Sequence, residues 1–412
     1  MKQSQLFSKT LKVAPKDEPS QNAQLLIRGG YVDKLMAGVY SLLPLGWRVM
    51  KNIEAIIREE MNAIGGQELY LPSMHPKVNW QQTGRWDSLD VLYRLAEDDV
   101  AFGPTHEEVI APLAKKFVQS YRDLPLAVYQ IQNKFRRERR AKSGLLRGRE
   151  FIMKDLYSFH ADEADLDAYY ERVRGAYERI FARLGLGRQT HYTYAAGGSF
   201  SKYSHEFQTV TAAGEDTIHI CAGCGRAINE EIKAEMAVCP GCGGTDFTAA
   251  AAVEVGNIFK LKTKYSDPFK LTYTDATGTE QPVLMGCYGI GLQRLMGTIV
   301  EVFADDQGIV WPVAVAPYRV HLIGLNLDDP SVRAQAAKVY QELQQAGLAV
   351  LFDDRPEATA GAKFADADLL GMPVRLLVSA KTGGKVEYKL RTGTTAELLD
   401  TAAALAAIKA LS

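Results

Sequence analysis

Apolar residues recur at helical spacing between Ser41 and Gly65, at Val49, Ile53, Ile56, Ile57, Met61 and Ile64, and the pattern stops at Gly65-Gly66. This predicts an amphipathic helix. Glu68–Pro72 follows as a short strand closed by proline, and strand-like runs lie at Ala127–Gln132, Phe151–Tyr157 and Leu284–Tyr288. Asp162–Leu184 predicts a second amphipathic helix. Strands interleaved with helices, without regular βα alternation, favour an α+β domain over a doubly wound one. After Trp311-Pro312 the pattern changes. Val320–Leu325, Ala349–Phe352 and Val374–Val378 read as short apolar strands, separated by helical stretches Ser331–Gln345 and Ala362–Leu370. That alternation predicts a compact α/β domain of about 100 residues.

Composition limits what these elements can serve. The chain has 412 residues, enough for two or three domains, and is 47% hydrophobic and 24% charged. No apolar run approaches the roughly 20 residues that span a bilayer, and no signal-peptide core follows Met1-Lys2-Gln3-Ser4-Gln5, so a cytoplasmic protein without a membrane partner is expected. The formal net charge of −1 argues against a uniformly basic surface. It leaves room for a local phosphate-binding one.

Four of the five cysteines form two CxxC pairs, Cys221/Cys224 and Cys239/Cys242, each followed by glycine (Gly225, Gly243). In a reducing compartment such pairs suit tetrahedral thiolate coordination of Zn²⁺ better than a disulfide framework. Four thiolates close the coordination sphere, so a structural ion is expected rather than a catalytic one.

Between Lys134 and Glu150 lie eight basic residues, Lys134, Arg136, Arg137, Arg139, Arg140, Lys142, Arg147 and Arg149, opposed only by Glu138 and Glu150. Most are arginines, whose planar fork suits bidentate recognition of phosphate or carboxylate. The run sits between two strand candidates. A hairpin of this kind could hold a polyphosphate against a sheet while its tip touches nucleic acid.

Phe135-Arg136-Arg137-Glu138, the basic loop, and Arg147, Phe151 and Asp155 at four-residue spacing resemble motif 2 of the class II aminoacyl-tRNA synthetases. Met285–Arg294, with Gly286-Cys287-Tyr288-Gly289-Ile290-Gly291, resembles motif 3. Gly38–Pro72 is similar to the dimer-forming motif 1. Gly103–Glu108, Phe151–His160 and Ser204-His205-Glu206-Phe207 look closer still to the bacterial-type prolyl enzymes, and Leu351–Arg355 and Lys363–Gly371 to their anticodon-binding domain. The resemblance implies a fold with an antiparallel-sheet catalytic domain, a small zinc-ribbon-like insertion and a C-terminal α/β anticodon-binding domain. It implies ATP-dependent activation of proline, transfer to tRNA(Pro), and a homodimer.

The family's roles fall on particular residues. Arg136 would bind the α-phosphate of ATP beside the attacking carboxylate, and Arg147 and Arg294 would hold the γ-phosphate. Glu138 would accept from the adenine amino group and Phe151 would stack on the ring, while Gly289 and Gly291 would let the backbone approach the nucleotide. Mg²⁺ would accompany ATP, with Glu206 as a protein ligand. Thr105 and Glu107 would take the imino group of proline; Thr105-His106-Glu107-Glu108 is also a capping-box pattern, in which Glu108 caps while Glu107 points to substrate. Phe159, His160 and Cys287 would shape the proline pocket. Arg140, Arg355 and Lys363 would contact tRNA.

Between Glu206 and Val255 the chain departs from the family. Bacterial-type prolyl enzymes usually carry a large inserted domain here that hydrolyses mischarged alanine; only Gly225–Val238 separates the two cysteine pairs in this chain. Residues separating Gly197-Gly198-Ser199 from Ser204-His205-Glu206 are a second departure. The expected division is a catalytic domain in two parts (1–220 and 255–312), a cysteine module (221–254) and an anticodon-binding domain (313–412). The alternative to a ligase is a non-catalytic tRNA-binding or regulatory paralogue. The joint presence of Arg136, Glu138, Thr105, Glu107 and Arg294 speaks against it, since binding tRNA alone needs none of the ATP set.

Overall fold

The helical pattern near the N-terminus forms helix α1 (Pro44–Ala63), with Val49, Met50, Ile53, Ile57 and Met61 buried along one stripe. The computed structural model describes residues 1–411 apart from Asp17, Arg140, Lys142 and Ser199. Two compact units are present. One comprises residues 36–39 and 54–298, the other residues 1–35, 40–53 and 299–412.

A nine-stranded sheet organises the first unit. In chain order its strands are β1 (Gln67–Glu68), β2 (Leu126–Phe135), β3 (Glu150–His160), β4 (Thr190–Ala196), β5 (Tyr203–Val210), β6 (Asp216–Cys221), β7 (Ala227–Asn229), β8 (Phe247–Lys262) and β9 (Leu284–Gly291). The sheet order is β5-β4-β7-β6-β8-β9-β3-β2-β1. All pairings are antiparallel except β1 with β2 and β7 with β4. One face of β3 and β9 is covered by an apolar cluster that includes Leu71, Ile110, Tyr157, Phe159, Leu271 and Met285. Helix α2 (Glu163–Arg183) buries Tyr169, Tyr170, Val173, Tyr177 and Phe181. The ring of Tyr177 lies 5.2 Å from that of Phe207 on β5.

The pairing β8–β5 joins the two ends of one segment of this sheet, so β8, β5, β4, β7 and β6 close into a ring. β8 is 16 residues long. Its first part pairs with β6 and its last part with β9. The cysteine segment is therefore built onto a strand that continues into the catalytic sheet, and the boundary expected at residue 254 falls inside that strand.

The second unit holds a five-stranded sheet formed by β10 (Val320–Gly324), β11 (Val350–Asp353), β12 (Val374–Val378), β13 (Val386–Leu390) and β14 (Glu397–Leu399), in the order β11-β10-β12-β13-β14. The first three are parallel. Helices α3 (Pro330–Gln345) and α4 (Thr401–Ala410) contribute Val332, Ala336, Val339, Leu343, Ala404 and Ile408 to its core. Along the edge of β11, Lys2 bridges Phe352. No helix among the described residues is long and apolar enough to cross a membrane.

Candidate active site

Strand register places the chemistry. On β3 the side chains of Phe151, Met153 and Asp155 share one face by the two-residue period, and all three line one open cavity. Asp155 pairs with Gly289 and Tyr157 with Cys287 on β9, and these pair in turn with Asn257 and Phe259 on β8. Cys287, Gly289, Gly291, Asn257 and Phe259 line the same cavity.

Two of the three glycines of β9, Gly289 and Gly291, form an open floor. A Cβ at Gly289 would stand 3.6 Å from the Met153 sulfur, and one at Gly291 would stand 3.5 Å from the Arg294 Cβ. Both are ordinary contact distances, so neighbouring protein atoms do not demand glycine there. The bare backbone leaves room for a flat ligand. Gly286 is different, because a Cβ there would come within 2.2 Å of the Tyr288 hydroxyl.

Arg136 leaves β2 at the cavity wall. Its Nε donates to the Pro104 carbonyl at 3.3 Å, and its guanidinium carbon lies 5.3 Å from the Phe151 ring centroid. Burial, and the guanidinium of Arg294 facing the same space, push its ionisation below the usual arginine range. Arg294 donates from Nη1 to the Glu254 carbonyl at 2.7 Å and to its carboxylate at 3.2 Å. Two half-buried guanidinium groups in one cavity favour a ligand carrying several negative charges. Arg147 is held by Glu138 at 3.2 Å and by Glu215 at 2.6 Å, and both Arg147 and Glu138 line the cavity.

Phe200, Phe259 and Cys287 give one part of the lining an apolar character. The Phe200 and Phe259 rings lie 4.7 Å apart. Thr105 lines the cavity and donates to Glu107 at 2.5 Å. Glu107 is fully buried and also accepts from the Cys287 thiol at 3.3 Å. A buried carboxylate beside an apolar recess can receive a compact cation. The capping box does not form. The residue preceding the helix Glu107–Ala114 is His106, which makes no side-chain cap, and Glu108 turns instead to Arg85 and Thr83 at 2.8 and 2.9 Å.

The structure thus gathers Thr105, Glu107, Arg136, Glu138, Arg147, Phe151, Cys287, Gly289, Gly291 and Arg294 around one cavity, with Glu107 behind Thr105 and Cys287. Phe159 lies on the site face of β3 but is wholly buried in the cluster beneath. His160 is one residue further along and therefore on the opposite face. Its Nδ1 bonds Asp165 at 2.6 Å and its ring packs on Tyr169, so it does not shape the pocket.

Glu206 also departs from expectation. It accepts from Gln208 at 2.8 Å, Asn257 at 3.2 Å and Asn229 at 3.3 Å, and it does not line the cavity. Burial and the neighbouring Glu254 carboxylate push it up to about 8. Glu254 faces the cavity beside Arg294 and is the carboxylate suited to meet Mg²⁺ there. The sequence signal was its place in Glu254-Val255-Gly256-Asn257, two residues before a glycine on a strand.

In the second unit Lys363 is 2% exposed; its ammonium donates to the Gly324 carbonyl at 2.7 Å and lies 3.7 Å from Asp353. It cannot reach tRNA. Arg355 is engaged by Asp353 at 2.6 Å and by Asp366 at 2.8 Å, so its guanidinium serves an internal network. Arg140 and Ser199 lie outside the described residues.

The sulfurs of Cys221, Cys224, Cys239 and Cys242 all lie within 4.8 Å of one another, with closest pairs at 3.5 and 3.6 Å. Four thiolates around one Zn²⁺ at about 2.3 Å would be about 3.8 Å apart. Gly225 and Gly243 adopt φ of 72° and 76°, and their amides donate to Cys221 and Cys239 carbonyls at 2.9 and 2.8 Å. These left-handed turns aim each pair of sulfurs at one point.

Comparison with known proteins agrees with this geometry. Residues 92–303 match the family "tRNA synthetase class II core domain (G, H, P, S and T)", and residues 313–411 match "Anticodon binding domain". Two crystal structures of prolyl-tRNA synthetase from Cryptosporidium parvum, one complexed with halofuginone and AMPPNP and the other with L-proline and AMP, share the fold. Their TM-scores are 0.76 and 0.75 at 18% identity, over 94% of this chain and 76% of theirs. Fold and core domain together define a class II aminoacyl-tRNA synthetase. Proline–tRNA ligases from Dehalococcoides mccartyi (strain CBDB1) and Shouchella clausii are 35% and 36% identical over 97% of this chain and 97% of theirs; that of Geobacillus kaustophilus is 35% identical over 98% and 99%. The chain belongs to the proline–tRNA ligase family, whose members use ATP to join proline to its tRNA. The first alignment spans 553 positions against 412 residues here, so this chain lacks an insertion present in that relative.

Proposed function

We propose that this chain activates L-proline as prolyl-adenylate in the cavity between β3, β8 and β9, and transfers it to tRNA(Pro) without hydrolysing alanyl-tRNA in cis. The observation that carries the reading is the polarity of the cavity. Arg136 and Arg294 line it with Thr105, and the buried Glu107 carboxylate stands behind Thr105 and Cys287. Adenine would lie on the glycine floor against Phe151, with Glu138 accepting from its amino group. The triphosphate would meet Arg147 and Arg294. Mg²⁺ would shield phosphate charge when bound, with Glu254 facing it.

Proline would enter with its ring against Phe200, Phe259 and Cys287 and its secondary ammonium on Glu107. Its carboxylate then points at the α-phosphate beside Arg136. The attacking group is already an anion, so no base is required; alignment and stabilisation of the developing phosphoryl charge carry the step.

Zn²⁺ in the four-cysteine cluster would be structural, supported by four thiols with no open position. The short chain between the cysteine pairs supports the loss of editing. A pocket for a small apolar ring discriminates weakly against alanine. A homodimer is supported by exposed apolar side chains along the segment after β1, Tyr70 (75% exposed), Met74 and Val78; a sedimentation mass of one chain would contradict it. We place the catalytic parts at 1–220 and 255–312 and the anticodon-binding domain at 313–412, in a cytoplasmic enzyme.

The test is ATP–pyrophosphate exchange with proline, threonine, glycine, serine and histidine. Proline should drive exchange, and Arg136→Ala should lower it by about 10³-fold or more. Exchange driven by another of these amino acids, or undiminished in Arg136→Ala, would contradict the reading.

A further inference from the structure

Next to the amino-acid end of the cavity sits a cation with no assigned task. Arg85 follows Gly84, whose φ of 71° turns the chain inward, and it is 92% buried. Its guanidinium carbon lies 5.3 Å from the ring centroid of Trp80, 5.4 Å from that of Phe200 and 5.4 Å from that of Tyr265. From this aromatic box Nη1 reaches Glu108 at 2.8 Å and stands 3.7 Å from Glu107.

Glu107 and Glu108 are consecutive and both fully buried. Adjacent buried carboxylates repel, and burial opposes the charge on each. Even beside Arg85, burial and Glu107 push the Glu108 carboxyl up to about 7. Other groups act on Glu107 from the surrounding elements. Lys134 and Arg136 supply positive charge at a greater distance, and the Tyr157, Tyr265 and Cys287 groups are neutral when Glu107 is charged. Arg85 is the cation in closest contact with both carboxylates among the described residues.

We infer that Arg85 is a positioning residue for substrate recognition: it keeps Glu107 charged and aimed at the pocket, and it braces Phe200 over the amino-acid end. This rests on the reading of Glu107 as the site for the ammonium of proline. Without Arg85 no cation among the described residues stands in contact with the two buried carboxylates, and their mutual repulsion opposes the negative charge on which the secondary ammonium of proline depends. The ATP end, held by other residues, is untouched.

The test is proline-dependent exchange between about pH 6 and pH 9, with KM for proline and for ATP measured separately and melting temperatures in parallel. Arg85→Gln should raise KM for proline by about tenfold or more while KM for ATP changes less than about threefold. The acid limb of 1/KM for proline should move to higher pH. Arg85→Lys should recover part of the loss, and Arg85→Gln with Glu108→Gln should recover more, because the second carboxylate no longer competes for charge. Glu108→Gln alone should move the acid limb to lower pH. That variant decides the matter if Arg85→Gln fails to fold. An unmoved acid limb in folded variants, or equal rises in both KM values, overturns the role of Arg85. Absence of proline-dependent exchange in the unsubstituted enzyme contradicts the functional reading itself, and this inference with it.

Discussion

Position along β3 decides which residues can act. Phe151, Met153 and Asp155 face the cavity, whereas Lys154 and His160 face the other way. The sequence grouped Phe159 with His160 as pocket residues, although a strand cannot send adjacent side chains to one face. Lys154 shows what the far face holds. It is fully buried, with its ammonium on the Tyr177 hydroxyl at 2.5 Å and the Tyr288 carbonyl at 3.0 Å. Burial pushes it down to about 7. Between that value and the ordinary lysine value of about 10.5 the unfolded chain holds a proton that the folded chain lacks, so this group's contribution to stability rises with pH. The melting temperature of the unsubstituted protein minus that of Lys154→Met should therefore grow from about pH 6 to pH 9. A shrinking difference would refute the buried, neutral lysine.

Charge type was more legible in the sequence than charge use. Arg136 and Arg294 stood out because arginines cluster before a strand or follow a glycine-rich one, and both line the cavity. Lys363 and Arg355 were placed on tRNA by the resemblance to an anticodon-binding domain, and the structure makes them internal partners of Asp353. Sequence shows a cation but not its nearest carboxylate. Glu254 was missed for the converse reason, since its one local mark, a glycine two residues further on, does not show that a cation faces it.

Among the elements, long periodic ones were readable and the closed ring was not. Helix α2 is expected at Asp162–Leu184 and found at Glu163–Arg183, and β12 is found at Val374–Val378 as expected. β8 begins with Phe247-Thr248 and four alanines, residues that favour a helix in isolation. Pairing with β6 and β5 imposes the strand instead. Closure of the ring depends on contacts distant in sequence. The cysteine pairs were visible because their spacing is local, and their sulfurs do converge. Purified protein should contain about one zinc per chain, and Cys239→Ser should lose it and melt at lower temperature. Full metal content and unchanged melting in that variant would show that the thiols are not ligands.

For the whole molecule, the family relationship reaches nearly end to end, yet the D. mccartyi relative carries an insertion that this chain lacks. This chain's four-cysteine segment lies along β6, β7 and β8. The proposal that this chain does not edit in cis has a direct consequence. Alanyl-tRNA(Pro) offered to the purified enzyme should decay no faster than in buffer; rapid deacylation would place an editing centre somewhere in these two units.

This chain belongs to the proline–tRNA ligases, and we propose that Arg136 serves the activation of the amino acid. The most direct measurement is transfer of labelled proline to tRNA(Pro) by the purified enzyme with ATP and Mg²⁺. Proline-specific charging that Arg136→Ala abolishes is the expected result. Bound tRNA without any charging by the unsubstituted enzyme would contradict it.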